Sequence, residues 1–157
     1  MLRILVFHSR NTEVINNRQM DKRTVIALGW NGWPLDRVMI LAMGLLFLVI
    51  FVQVTLFHYR QNFRHWSMWI PVIATPVFGL CLIVFSFCKA TWLLNLLTVL
   101  LSVGILAGIL GTIMHIRGVG ERVGGYELRN FMIGPPLTLP AMVSAVSLLG
   151  LIALYWG

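Results

Sequence analysis

Residues 92–116 read WLLNLLTVLLSVGILAGILGTIMHI, 25 positions in which no Asp, Glu, Lys or Arg interrupts the apolar run. An α-helix rises about 1.5 Å per residue, so about 20 such residues cross a hydrocarbon core roughly 30 Å thick. Three further runs of that length flank this one, at 38–58, 66–87 and 137–156. The first contains Gln53, the second Pro71 and Pro76, and the third run in chain order (92–116) contains Asn95 and Ser102. Together they occupy more than half of the chain, which predicts an all-α, four-helix membrane domain over residues 38–157, preceded by an extramembrane arm over 1–37.

Composition agrees. Of 157 residues 59% are hydrophobic and 11% charged, against about 25% charged in a soluble domain, and the mean hydropathy is +0.86. A water-soluble fold of this size would expose large apolar patches, which excludes a free cytosolic enzyme, a disordered tail and a disulfide scaffold. The net charge of +7 does not indicate nucleic acid, because the basic residues fall between the apolar runs and form no stripe on one face. Membrane lipids are the expected surroundings. Cys81 and Cys88 lie two helical turns apart, roughly 10 Å along the axis, too far for a disulfide.

An indole favours the headgroup region, where its ring is half buried and its N–H stays wet. All six tryptophans obey that preference: Trp30 and Trp33 precede the first run, Trp66 and Trp69 open the second, Trp92 opens the third and Trp156 closes the fourth. Four crossings put both ends of the chain on one side with the turn at 88–91, and the loops 59–65 and 117–136 on the other. Arg18, Lys22, Arg23, Arg37 and Lys89 on the first side balance Arg60, Arg64, Arg117, Arg122 and Arg129 on the second, so the positive-inside rule selects no orientation. The arm has a short apolar start, Leu2 to Phe7, without the features of a secretory signal, and Met20 and Met39 offer alternative starts downstream.

A weak internal repeat is expected. His58-Tyr59-Arg60 ends the first run and His115-Ile116-Arg117 the third; each is followed by a polar loop and by two prolines at equal spacing, Pro71 with Pro76 and Pro135 with Pro140. The chain thus reads as two duplicated helical hairpins related by an axis along the membrane normal. Proline removes an N–H and disfavours helix just before it, so Pro71 and Pro140 suit a first turn, whereas Pro76 should bend the second helix and leave a carbonyl for Thr75 or a neighbour to satisfy. The third run carries Gly104 and Gly108 as GxxxG, with Ala107 and Gly111 overlapping. Small residues let backbones approach to dispersion contact, which makes this run the expected hub of the bundle.

No acidic residue lies within the four runs, which argues against a transporter driven by an internal carboxylate. Gln53, Thr55, Asn95, Thr98, Ser102, Ser144 and Ser147 read mainly as interhelical hydrogen-bond glue. Gln53, Asn95 and Ser102 would line the pore if the protein were a small channel or lipid handler. His58 and His115 end two parallel helices at one depth, and Arg60 and Arg117 follow them. A b-type haem takes two imidazoles from different helices and favours guanidinium groups near its propionates, so these four residues form the candidate haem b or quinone site. His65 stands beside Arg64 without the acidic neighbours that orient metal-binding rings, and no metal is expected. Loop 117–136 is glycine-rich, but no strand precedes it to make a phosphate loop; it reads as a flexible hairpin return with Tyr126 and Phe131 against the bilayer.

The pattern HYR…F…MWIPV…PV from His58 to Val77, followed by HIRG…GG…N…GPPL…P from His115 to Pro140, resembles a family of small, uncharacterised bacterial inner-membrane proteins with four predicted helices. The resemblance covers roughly the last two thirds of the chain and omits the arm. It implies a bacterial inner membrane and a four-helix fold, and it assigns no catalytic residue. The functional expectation is a non-catalytic accessory or structural subunit, with other membrane protein subunits of a respiratory or photosynthetic complex as partners. The alternatives are the electron-transfer subunit built on His58 and His115, and the channel.

Overall fold

The structure, a computed structural model, describes residues 30–156. Leu2 to Phe7, His8, Arg18, Lys22 and Arg23 of the expected arm lie outside the described residues. The elements are α1 (Leu35–Arg60), a 3-10 turn (Trp66–Met68), α2 (Trp69–Phe87), α3 (Thr91–Val119) continued by a π-helical turn (Gly120–Gly124), a short α4 (Leu128–Ile133) and α5 (Thr138–Tyr155). Four helices are long and apolar enough to cross a membrane, among the described residues. The protein is all-α, and each spanning helix falls within a few residues of the apolar run that predicted it.

Local chemistry sets the helix ends. Pro34, extended at φ −67° and ψ 163°, precedes α1, and Asp36 in the first turn complements the positive end of the helix dipole. At the other end Asn62 and Phe63 turn left-handed, at φ 54° and 44°. The Phe63 N–H donates to His58 O at 3.1 Å and the Asn62 N–H to Tyr59 O at 2.9 Å, the paired closure of a Schellman motif with Asn in the place glycine usually takes. A phenylalanine is uncommon in that conformation. It is held there by stacking on Trp69, with ring centroids 4.2 Å apart.

Two antiparallel hairpins, α1–α2 and α3–α5, contain the most extensive packing and are joined chiefly along α1–α5. Between them Ile40, Phe47 and Ile50 of α1, Phe78, Leu82 and Phe85 of α2, Leu93, Leu97 and Leu101 of α3, and Val143, Val146 and Ala153 of α5 form the core. Phe47 meets Phe78 edge to face at 5.5 Å. The hub is therefore the α1–α5 pair and not the third spanning helix, because α3 packs along α5 and only briefly on α2.

Each hairpin closes on glycine. A Cβ on Gly44 would stand 3.0 Å from Gly79 O, and one on Gly79 would stand 2.9 Å from Gly44 O, so α1 and α2 cross backbone to backbone. Gly108 does the same for α3 and α5, where an added Cβ would stand 2.6 Å from Pro140 O; Gly104 admits the Ser147 side chain, and a Cβ on Gly111 would stand 3.0 Å from Pro140 Cβ. Ala107, expected on this surface, is exposed; helical rotation carries it past the interface while Gly104, Gly108 and Gly111 share a face.

The duplication extends to topology and stops there. A two-fold axis exchanging the hairpins would make α2–α3 as close as α1–α5, and it is much thinner. The proline pairs also fall out of register. Pro71 and Pro140 are each the third residue of their helix, Pro76 lies within α2, and Pro135 precedes α5. Pro76 leaves Val72 O without its usual amide, but the Thr75 hydroxyl donates to Pro71 O at 2.7 Å, one carbonyl earlier than the freed one. Loop 117–136 is also more structured than expected. Tyr126 covers Gly120, Gly134 lies against Val119, and the Asn130 side-chain amide donates to Gly125 O at 3.0 Å.

Candidate functional site

The side chains with most chemical capacity gather where α1 and α3 end on the same side. Pro135 rides on α3, its Cγ 3.3 Å from where a Gly118 Cβ would be, and this fold-back presents Pro136 O to His115 Nδ1 at 2.7 Å. A carbonyl only accepts, so Nδ1 carries the proton and Nε2 keeps its lone pair. His58 sits in the last turn of α1, 6.3 Å from the Phe63 ring, with Nδ1 buried and unpartnered among the described residues. His58 and His115 thus end their helices on the same side of the bundle, on α1 and α3, which are not packed neighbours.

The expected arginines do not join them. Residues two apart on a helix point to opposite sides, so Arg60 and Arg117 turn away from the histidines they follow and both are exposed. Arg60 lies over the Phe57 ring at 5.9 Å. The guanidinium within reach of His115 belongs to Arg122 on the π-helical turn, and its Nη1 donates to Gln61 Oε1 at 3.3 Å. No spacing rule reveals Arg122 or Gln61, because both arrive through the fold-back. His65 serves elsewhere, its Nδ1 accepting from Ser67 N at 3.3 Å to cap the 3-10 turn.

At the opposite end, α2 finishes without a glycine cap. Trp30 Nε1 donates to Phe85 O at 3.1 Å and Arg37 Nε to Ser86 O at 2.7 Å, satisfying carbonyls that a helix terminus leaves open. Arg37 also donates to Gly32 O and lies 3.7 Å from the centroid of the Trp33 ring, while Lys89 sits 4.5 Å from that of Trp30. Two of the six tryptophans therefore clamp the α1–α2 hairpin. Trp33, Trp66, Trp69, Trp92 and Trp156 stay exposed, each at or next to a helix end.

The intramembrane hydroxyls other than Ser147 are tied to backbone or to a neighbour, and Thr55 and Ser102, expected as interhelical glue, bond only within their own helices. Thr55 donates to Phe51 O at 2.7 Å, Ser102 to Thr98 O at 2.7 Å and Thr112 to Gly108 O at 2.8 Å. Ser144 bridges helices, donating to Ile105 O at 2.8 Å, and Thr98 Oγ1 meets Tyr155 OH at 2.8 Å. Ser147 Oγ, fully buried over Gly104, has no partner among the described residues. Gln53, Asn95 and Ser102 are exposed on the outward faces of α1 and α3, helices that are not packed neighbours. They do not converge on the pore for which they were candidates. Comparison with protein-family models, with curated proteins and with solved structures gives no match.

Proposed function

We propose that the chain is a non-catalytic accessory subunit of a larger membrane complex, of the respiratory or photosynthetic type, in a bacterial inner membrane. The observation that supports this reading is the use made of the polar groups within the spans. Ser144 donates to Ile105 O and Thr98 meets Tyr155 OH, joining α3 to α5, while Thr55, Ser102 and Thr112 donate to the carbonyl four residues back in their own helix, so these groups are occupied within the bundle. Around that bundle run apolar faces available to neighbouring helices, such as Val99, Val103, Leu106 and Leu110 of α3. The test is isolation of the tagged protein from its native membrane in mild detergent. Co-isolation of a defined complex at fixed stoichiometry, lost when the gene is deleted, is the expected result; a protein that runs free of any other subunit refutes the proposal.

One observation favours a second reading, a b-type haem or quinone subunit. The Pro136 carbonyl fixes His115 with Nε2 as the lone-pair nitrogen, the tautomer in which backbone partners hold metal-binding imidazoles, and His58 ends α1 on the same side of the bundle. In this reading Arg122 takes the anion-pairing role first given to Arg60 and Arg117. A Soret band in the folded protein, abolished in His115→Phe and in His58→Phe, would establish it. A featureless spectrum from membranes grown with ample haem removes the haem form of this reading.

A further inference from the structure

Asn31 is the one asparagine in the chain that is followed by a glycine, Gly32. Both residues are exposed, in the irregular segment between Trp30 and the start of α1 at Leu35. Gly32 is left-handed at φ +72°, and a Cβ added there would meet no atom within 4 Å. Its N–H makes no hydrogen bond among the described residues, so the nitrogen next to the Asn31 carboxamide is free and uncrowded. The other described asparagines differ on each count. The residue after Asn62 is Phe63, whose N–H is held by His58 O; Asn95 and Leu96 lie within α3; and Asn130 precedes Phe131 in α4, its carboxamide donating to Gly125 O. Trp30 and Trp33 flank the Asn31 segment, and indoles favour the headgroup boundary, where water reaches.

We infer that Asn31 is a site of spontaneous deamidation, with the Gly32 backbone nitrogen as nucleophile and water as co-reactant. The Gly32 nitrogen, having lost its proton to a base, attacks Asn31 Cγ; the Cγ–Nδ2 bond breaks, and ammonia leaves with a proton taken from water. The product is a cyclic succinimide. Water then opens the ring, giving aspartate when it breaks the bond from nitrogen to Cγ and isoaspartate when it breaks the bond to the main-chain carbonyl carbon. One water is consumed and one ammonia released, with no change of oxidation state. Arg37, bonded to Gly32 O, puts a positive charge beside the residue whose nitrogen must ionise, and a nearby cation favours the anionic form. The isoaspartate product lengthens the main chain by one carbon between two anchored points, the Trp30 indole on Phe85 O and Gly32 O on Arg37, so the reaction falls within the clamp that closes the α1–α2 hairpin. This inference is independent of the proposed accessory role.

The test incubates the full chain in detergent micelles at mildly alkaline pH, with a synthetic peptide of residues 24–37 as the clock. Trypsin releases 24–37 from the protein as one peptide, between Arg23 and Arg37, with Asn31 its only asparagine. Mass spectrometry follows conversion, and methyl transfer from S-adenosylmethionine by a purified isoaspartyl methyltransferase reports the iso product. Asn31 is expected to convert while the free peptide converts, ahead of Asn62, Asn95 and Asn130, with isoaspartate present. Gly32→Ala, with helix content unchanged, is expected to slow it about tenfold, since a Cβ shields the nitrogen and narrows the backbone range open to it; Asn31→Gln, which would have to close a larger ring, is expected to stop it. An unchanged 24–37 segment after the free peptide has converted, aspartate without isoaspartate, or an equal rate in Gly32→Ala would each overturn the inference.

Discussion

Gly108→Ala separates the close packing of α3 on α5 from simple apolar contact. The added methyl would stand 2.6 Å from Pro140 O and 2.7 Å from Ser144 N, and would collide with Ser144 Oγ. Two of the three obstructing atoms are backbone and cannot rotate aside, so the helices must part. Overpacking of this kind costs about 1–3 kcal/mol, with the upper half of that range expected where backbone blocks relief. Parting the helices also breaks the bond from Ser144 to Ile105 O, worth about 0.6 kcal/mol in a membrane. The better helix propensity of alanine returns about 1 kcal/mol. The expected net loss is about 2 kcal/mol, roughly thirtyfold in the folding equilibrium. Gly150→Ala is the matched control, since its methyl meets only the flexible tip of Leu101, Cδ1 at 3.1 Å, and should be close to neutral. Reversible unfolding in mixed micelles, titrated with denaturing detergent and followed by helix content, measures both. The reasoning fails if Gly108→Ala is as stable as wild type, or if the two variants lose equally.

Arg37→Ala should destabilise the α1–α2 hairpin by about 1.5–3 kcal/mol, the range for hydrogen bonds to charged groups; Arg37→Lys should recover little, because an ammonium lacks the planar fork that both bonds and stacks. The same micelle titration, with Trp30 and Trp33 fluorescence as the local probe, reads this. Tyr155→Phe removes the bond to Thr98 and should cost about 0.6 kcal/mol, so a loss several times larger would mean the hydroxyl does more than join α3 to α5. His115→Phe should release the Pro136 fold-back, seen as faster proteolysis within 124–136, while the four spanning helices stay protected; unchanged cleavage would show that the His115 bond does not hold that segment.

The spanning helices were legible because lipid imposes a one-dimensional rule, apolar length, that needs no knowledge of partners. The GxxxG face was legible for the same reason, since Gly104 and Gly108 are four apart in one helix. Gly44 and Gly79 were missed although each is the sole glycine of its helix, because their meaning lies in a crossing between two helices. The candidate site divides along the same line. His58 and His115 announce themselves by ending parallel helices, but Arg122 is placed by the π-helical turn and Gln61 by the end of α1, and those positions are set by tertiary contact. Arg60 and Arg117 misled because adjacency in sequence was read as adjacency in space, and helical rotation puts residues two apart on opposite sides. Arg37 and Trp30 reach carbonyls 49 and 55 residues away, a separation across which no local pattern operates.

The unequal lengths of the helices make the bundle lopsided across a bilayer. The spans Trp66–Phe87 and Thr138–Tyr155 contain 22 and 18 residues, within the range that crosses a hydrocarbon core of about 30 Å. α3 and its π-helical extension run for 34 residues, about 51 Å. α3 therefore overhangs its hairpin partner and either leans or stands clear of the surface. The overhang carries the π-helical turn, with Arg122, past the apolar run, so the polar chemistry at this end is borne by one helix that outreaches the others.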